Sequence, residues 1–107
     1  MITVGAVGHI TSPIVDFVDK APNIEVRSFP SLPAAQQAFR IGQVDAIMEI
    51  PPPQTGPVNM ELYLPRSDTQ STVILMSLSE PLKKAENHLR AENGIRLSYS
   101  NIQGKAH

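Results

Sequence analysis

Ile2 to Gly8 reads Ile-Thr-Val-Gly-Ala-Val-Gly, apolar or small at nearly every position. A strand buried on both faces of a parallel sheet has that unbroken pattern, so this stretch is predicted as the central strand. Ser12 then stands before Pro13, a capping residue ahead of a proline whose missing N–H costs nothing at the first helical position. Ile10, Ile14, Phe17, Val18 and Ala21 share one side of the helix this predicts, and Pro22 closes it. From Ile24 to Phe29 the pattern alternates, with Ile24 and Val26 on one face and Glu25 and Arg27 on the other, as in a strand near a sheet edge.

Ser31 is a second capping residue. Behind it, Leu32, Ala35, Ala38 and Phe39 form a narrow apolar stripe at helical spacing, and Gly42 stands where a left-handed terminating residue is wanted. Val44, Ala46, Met48 and Ile50 share one face of a third strand and Ile47 the other, so both of its faces are expected to be covered. The run Pro51-Pro52-Pro53-Gln54-Thr55-Gly56-Pro57 can neither pair in a sheet nor coil, so it is a stiff loop that reverses the chain. Val58, Met60, Leu62 and Leu64 alternate with Asn59, Glu61 and Tyr63, which predicts a fourth strand antiparallel to the third, at the sheet edge, with one face to water.

Helical spacing returns from about Thr69 to Asn93, carried by Leu75, Leu78, Leu82, Ala85 and Leu89, with Asn93-Gly94 as the stop. Pro81 interrupts it and predicts a bend near Ser77 to Pro81 or two consecutive helices. Ile95 to Tyr99 can form a last strand, and the patternless residues 101–107 are expected to fray. The resulting order, β-α-β-α-β-β-α-β, predicts one α/β domain over residues 1–100. With crossovers of the usual hand it is a three-layer Rossmann-like half domain: a mostly parallel sheet with an antiparallel edge strand.

Composition narrows what such a domain does. Hydrophobic residues make up 41% and charged residues 18% of the 107, a globular balance with room for one core. Nine basic and ten acidic residues are interspersed, so no basic stripe exists to neutralise a phosphate backbone, which argues against nucleic-acid binding. With no cysteine there is no disulfide, thiolate metal site or cysteine nucleophile. No apolar run approaches the ~20 residues that cross a bilayer. Met1 leads directly into a core-strand pattern, which reads as the start of an excised fragment.

Candidate chemistry is sparse. Gly5-Ala6-Val7-Gly8-His9-Ile10 leads from a strand into a helix, but it lacks the third glycine of a dinucleotide fingerprint, and Phe29-Pro30 stands where an acid would end the second strand. No Gly-Lys-Ser/Thr phosphate loop is present, and no cofactor is expected. His9, Thr11 and Ser12 lie past the carboxyl end of the central strand, where open α/β sheets bind ligands, and are the candidate ligand-binding residues. The competing reading is a loop histidine with Ser12 as a helix cap; a lone histidine without a paired acid makes neither a metal site nor a triad. His88 and His107 are alone as well. Asp45 and Glu49 point to one face of the third strand but are too far apart for a close carboxylate pair, so structural roles are expected. Glu80, Lys83, Lys84 and Glu86 read as a solvated helix face. No catalytic or metal-ligating residue is assigned, and the chain is not expected to be an enzyme.

Three stretches in order resemble the extracytoplasmic domain of type-2 ABC exporter permeases. They are Val4-Gly5-Ala6-Val7, then Ala34 to Arg40 leading into Ile41-Gly42-Gln43-Val44-Asp45-Ala46-Ile47-Met48-Glu49-Ile50-Pro51, then Leu62-Tyr63-Leu64 before Ser67-Asp68. The family pattern is a strand beginning "VGVV", a helix ending in "G-x-V-D-A-x-x-x-I-P", and a strand giving onto "S-D" and an amphipathic helix. This chain departs from it in having a proline loop where the family often has a helix-forming segment with Asp-Phe, and in carrying Pro81 within the long helix. The resemblance implies a non-catalytic module on the extracytoplasmic face of the cell membrane, set between transmembrane helices of a parent chain. It would contribute to substrate release or subunit contact, with a separate ATPase subunit and a homodimeric twin as partners. The alternative is a small-molecule-sensing or periplasmic-binding-type half domain that uses the His9, Thr11, Ser12 rim.

Overall fold

The computed structural model describes residues 1–52, 56–89 and 95–101. The all-apolar first segment forms β1 (Ile2–Gly8), followed by α1 (Pro13–Asp19), β2 (Ile24–Ser28), α2 (Leu32–Arg40), β3 (Ala46–Ile50), β4 (Val58–Leu64), α3 (Asp68–His88) and β5 (Ile95–Asn101). Each helix starts on a serine whose hydroxyl accepts a backbone N–H: Ser12 from Ile14, Ser31 from Ala34 and Ser67 from Gln70. These caps satisfy donors that a helix N-terminus otherwise leaves orphaned.

The strands form one mixed sheet in the order β2-β1-β3-β4-β5. β1 pairs parallel with both β2 and β3; β4 runs antiparallel to β3 and parallel to β5. The expected place of β1 inside the sheet and the reversal between β3 and β4 are therefore present. The expected place of β4 at the edge is not, because β5 pairs along its whole length and takes the edge. Hydrophobic pattern could not reveal this: an alternating strand shows which face is wet, not whether its flank is paired.

Alternation sorts the core into two clusters. Val4 and Ala6 of β1, Ala46, Met48 and Ile50 of β3, and Met60, Leu62 and Leu64 of β4 share one face with Ile14 and Val18 of α1 and Ile74, Leu78, Leu82 and Ala85 of α3. Val7 and Ile47 point the other way, against Ala35 and Ala38 of α2. Helices thus cover both faces of β1 and β3, as the two-sided apolar pattern of those strands requires.

α3 is one helix through Pro81, not two. Its buried stripe, Ile74, Leu78, Leu82 and Ala85, lies on both sides of the proline. Pro81 is itself buried, beside Phe17, Ala21 and Pro22. Packing on the sheet and on α1 therefore outweighs the lost backbone bond, which ordinarily costs about 3 kcal/mol. The helix ends at His88, before the predicted limit; the Asn93-Gly94 stop lies outside the described residues. β5 extends two residues beyond its predicted end to include Asn101, and the tail that follows is also outside them.

Strand directions place the two described ends of the chain at the same end of the sheet, with β3 and β4 between them. β1 begins, and β5 finishes, at the same end of the sheet, because β5 follows β4 and β4 opposes β3 and β1.

Candidate functional site

The predicted rim is built by a close approach of two backbones. Gly8 has φ +91°, and a Cβ placed on it would lie 2.3 Å from the carbonyl oxygen of Ile50. The absence of a side chain lets the end of β1 lie against the end of β3, where His9 N–H donates to that same oxygen at 2.9 Å. From there the chain turns through Ser12, whose N–H donates to the His9 carbonyl at 3.1 Å.

The structure brings His9, Thr11 and Ser12 together in this turn, with Ser12 as a helix cap. Ser12 is buried, and its Oγ accepts the Ile14 N–H at 3.2 Å as the cap of α1. Thr11 Oγ1 lies 3.5 Å from His9 Nδ1, at the outer limit of hydrogen bonding. Among the described residues no group of three or more His, Asp or Glu side chains is disposed to hold a metal ion.

Several of the other sequence candidates have structural partners. Asp45 Oδ2 accepts the Thr3 N–H at 2.9 Å, while the Asp45 N–H donates to the Thr3 carbonyl at 2.7 Å. It thereby extends the β1–β3 pairing by one residue, the structural role expected of it. Lys84 and Glu80 form an exposed ion pair at 3.8 Å, of the kind that contributes little. The His88 ring lies 5.5 Å from that of Phe17 between their centroids. His107 lies outside the described residues.

A polar cluster that the sequence reading missed lies on the opposite sheet face. In the antiparallel β3–β4 register Glu49 stands directly across from Glu61, a like-charge pairing that opposes strand association. Tyr63 OH donates to Glu49 Oε1 at 2.8 Å and offsets part of that repulsion. Both glutamates sit on polar positions of alternating strands, so the face was legible. Their juxtaposition depends on where the proline loop turns, which periodicity does not specify.

Burial first, then the hydrogen bond to Glu49 and the negative charges of Glu49 and Glu61, push the Tyr63 phenol well above its ordinary value of 10.0. A raised folded-state value favours the protonated phenol. Its contribution to stability is complete below the unfolded value and is lost as pH climbs above it toward the folded one. Stability of the wild type should therefore fall more steeply than that of Tyr63→Phe between about pH 9 and pH 11. Urea unfolding of the pair across that range checks this, and parallel slopes would refute it.

In comparison with known proteins, the chain matches no family model, no curated protein and no solved structure.

Proposed function

We propose that this chain is a non-catalytic extracytoplasmic α/β domain of a type-2 ABC exporter permease, on the outer face of the cell membrane. In this reading its fold is a three-layer Rossmann-like half domain. The observation that carries the proposal is the placement of the chain ends. β1 starts and β5 finishes at one end of the sheet, as a module inserted between two membrane helices requires. The ordered resemblance supports it too, since its pieces occupy matching elements: Val4 to Val7 in β1, Ala34 to Arg40 in α2, Ala46 to Ile50 in β3, and Ser67-Asp68 at the start of α3.

The alternative, a small-molecule-sensing half domain, draws on the His9, Thr11, Ser12 rim, and the commitment of Ser12 to capping weighs against it. In the permease reading the domain has three partners: the parent's transmembrane helices, a separate ATPase subunit, and the domain of a twin permease. Its task is substrate release or subunit contact, while ATP is hydrolysed elsewhere.

The sequence of the parent gene on either side of the domain tests the proposal, because it predicts apolar spans of ~20 residues adjoining both ends. Polar flanks on both sides would sink it. The isolated domain is also expected to bind no ATP, having no glycine loop with its lysine to cradle phosphates. Titration calorimetry checks this, and micromolar binding would overturn it.

A further inference from the structure

Exposed large apolar side chains gather toward one end of this domain. Met1, Ile41 and Val73 are 84%, 58% and 52% exposed. Met1 precedes β1, Ile41 ends α2, and Val73 lies in the second turn of α3. This is the end at which β1 and β3 begin and β4 and β5 finish. Met1, Phe39, Gly42, Val73 and Ile74 border one groove of about 400 Å3 there. Met76, 71% exposed, continues the Val73 stripe along α3. At the opposite end the described residues offer Ile10, at 38%, among the polar side chains of His9 and Thr11.

Apolar surface so concentrated marks a contact. Charge around it is balanced, Arg40 and Arg66 against Asp45 and Asp68, so apolar burial and not an electrostatic field would drive binding. The chain both enters and leaves the domain beside this surface, so whatever lies against the chain ends also lies against the apolar side chains.

We propose that this end rests on a lipid bilayer surface, with Ile41 and Val73 entering the boundary between headgroups and acyl chains. The inference builds on the permease reading, in which both chain ends continue into the membrane. Amphipathic surfaces seat themselves at that boundary when apolar side chains can be buried while neighbouring polar groups stay wet.

The chain has no cysteine, so single-cysteine variants at positions 41, 73 and 10 can each carry an environment-sensitive fluorophore. With phosphatidylcholine vesicles, emission should shift to the blue at 41 and 73 and not at 10. In unlabelled protein, Ile41→Glu with Val73→Glu should lower vesicle binding by about tenfold, the equivalent of roughly two buried methylene groups, while Ile10→Glu leaves it unchanged. Equal emission at all three positions would overturn the inference. So would self-association that rises with protein concentration and ignores lipid, which would assign the face to a second copy. Apolar spans in the gene without vesicle binding would remove this inference alone; vesicle binding without such spans would remove the permease reading alone.

Discussion

Gly8→Ala is expected to destabilise the domain by about 3–5 kcal/mol, far more than one methyl group on an exposed turn usually does. Two costs combine there. The backbone at Gly8 has φ +91°, where a side chain is strained by about 1–2 kcal/mol. The added carbon would also meet the Ile50 carbonyl oxygen at 2.3 Å. That oxygen belongs to a backbone already engaged by His9 N–H, so it cannot swing aside as a side chain can. Relief requires β1 and β3 to part at their carboxyl ends, which gives up a buried pairing at the centre of the sheet.

Gly42→Ala separates the two costs. Gly42 has φ +82°, but nothing lies within 4 Å of the position its Cβ would take. This variant should lose only the conformational part, about 1–2 kcal/mol. Urea unfolding of both variants gives the contact cost by difference, and equal losses would show that the approach of Gly8 to Ile50 is not tight.

Much of this architecture was legible because it rests on local chemistry. Ser12 and Ser31 announce their helices through side chains that can accept a backbone N–H, and they do so in the structure. Period-two alternation assigned Met48, Ile50, Met60 and Leu62 to one face, where all four are buried. What stayed hidden depends on long-range placement. Which strand flanks β4 is settled by where α3 delivers the chain. The pairing of Glu49 with Glu61 follows from the register of β4 on β3, which the prolines between them do not specify; residues 53–55 of that predicted loop lie outside the described residues. Pro81 shows the limit from the other side: its local preference is to break a helix, and packing around it outweighs that preference.

The candidate rim illustrates a different ambiguity. A serine four residues past a core strand suits a ligand site and a helix cap equally well, because both use the same hydroxyl oxygen. In this chain the Ser12 oxygen accepts the Ile14 N–H as a cap. Tyr63, by contrast, falls on a polar face among charged residues and looks like ordinary strand surface until β3 is laid beside it.

The second large effect is expected at Leu78. This side chain is fully buried midway along α3, where the helix lies on the sheet with Leu62 near it across a groove wall. Truncating a buried leucine removes transfer free energy and leaves a cavity that the surroundings only partly fill, at about 3–5 kcal/mol where strands beneath cannot collapse inward. Here the floor is β-sheet, held in register by β3 on one side of β4 and β5 on the other, so collapse is restricted. Leu78→Ala should therefore lose about 3 kcal/mol or more, a large fraction of the 5–15 kcal/mol that a domain usually has. Val73→Ala, on the exposed side of the same helix, should change stability by no more than about 0.5 kcal/mol. Urea midpoints at constant slope measure both. A loss below about 1 kcal/mol at Leu78 would mean that α3 does not bear on the sheet through this stripe.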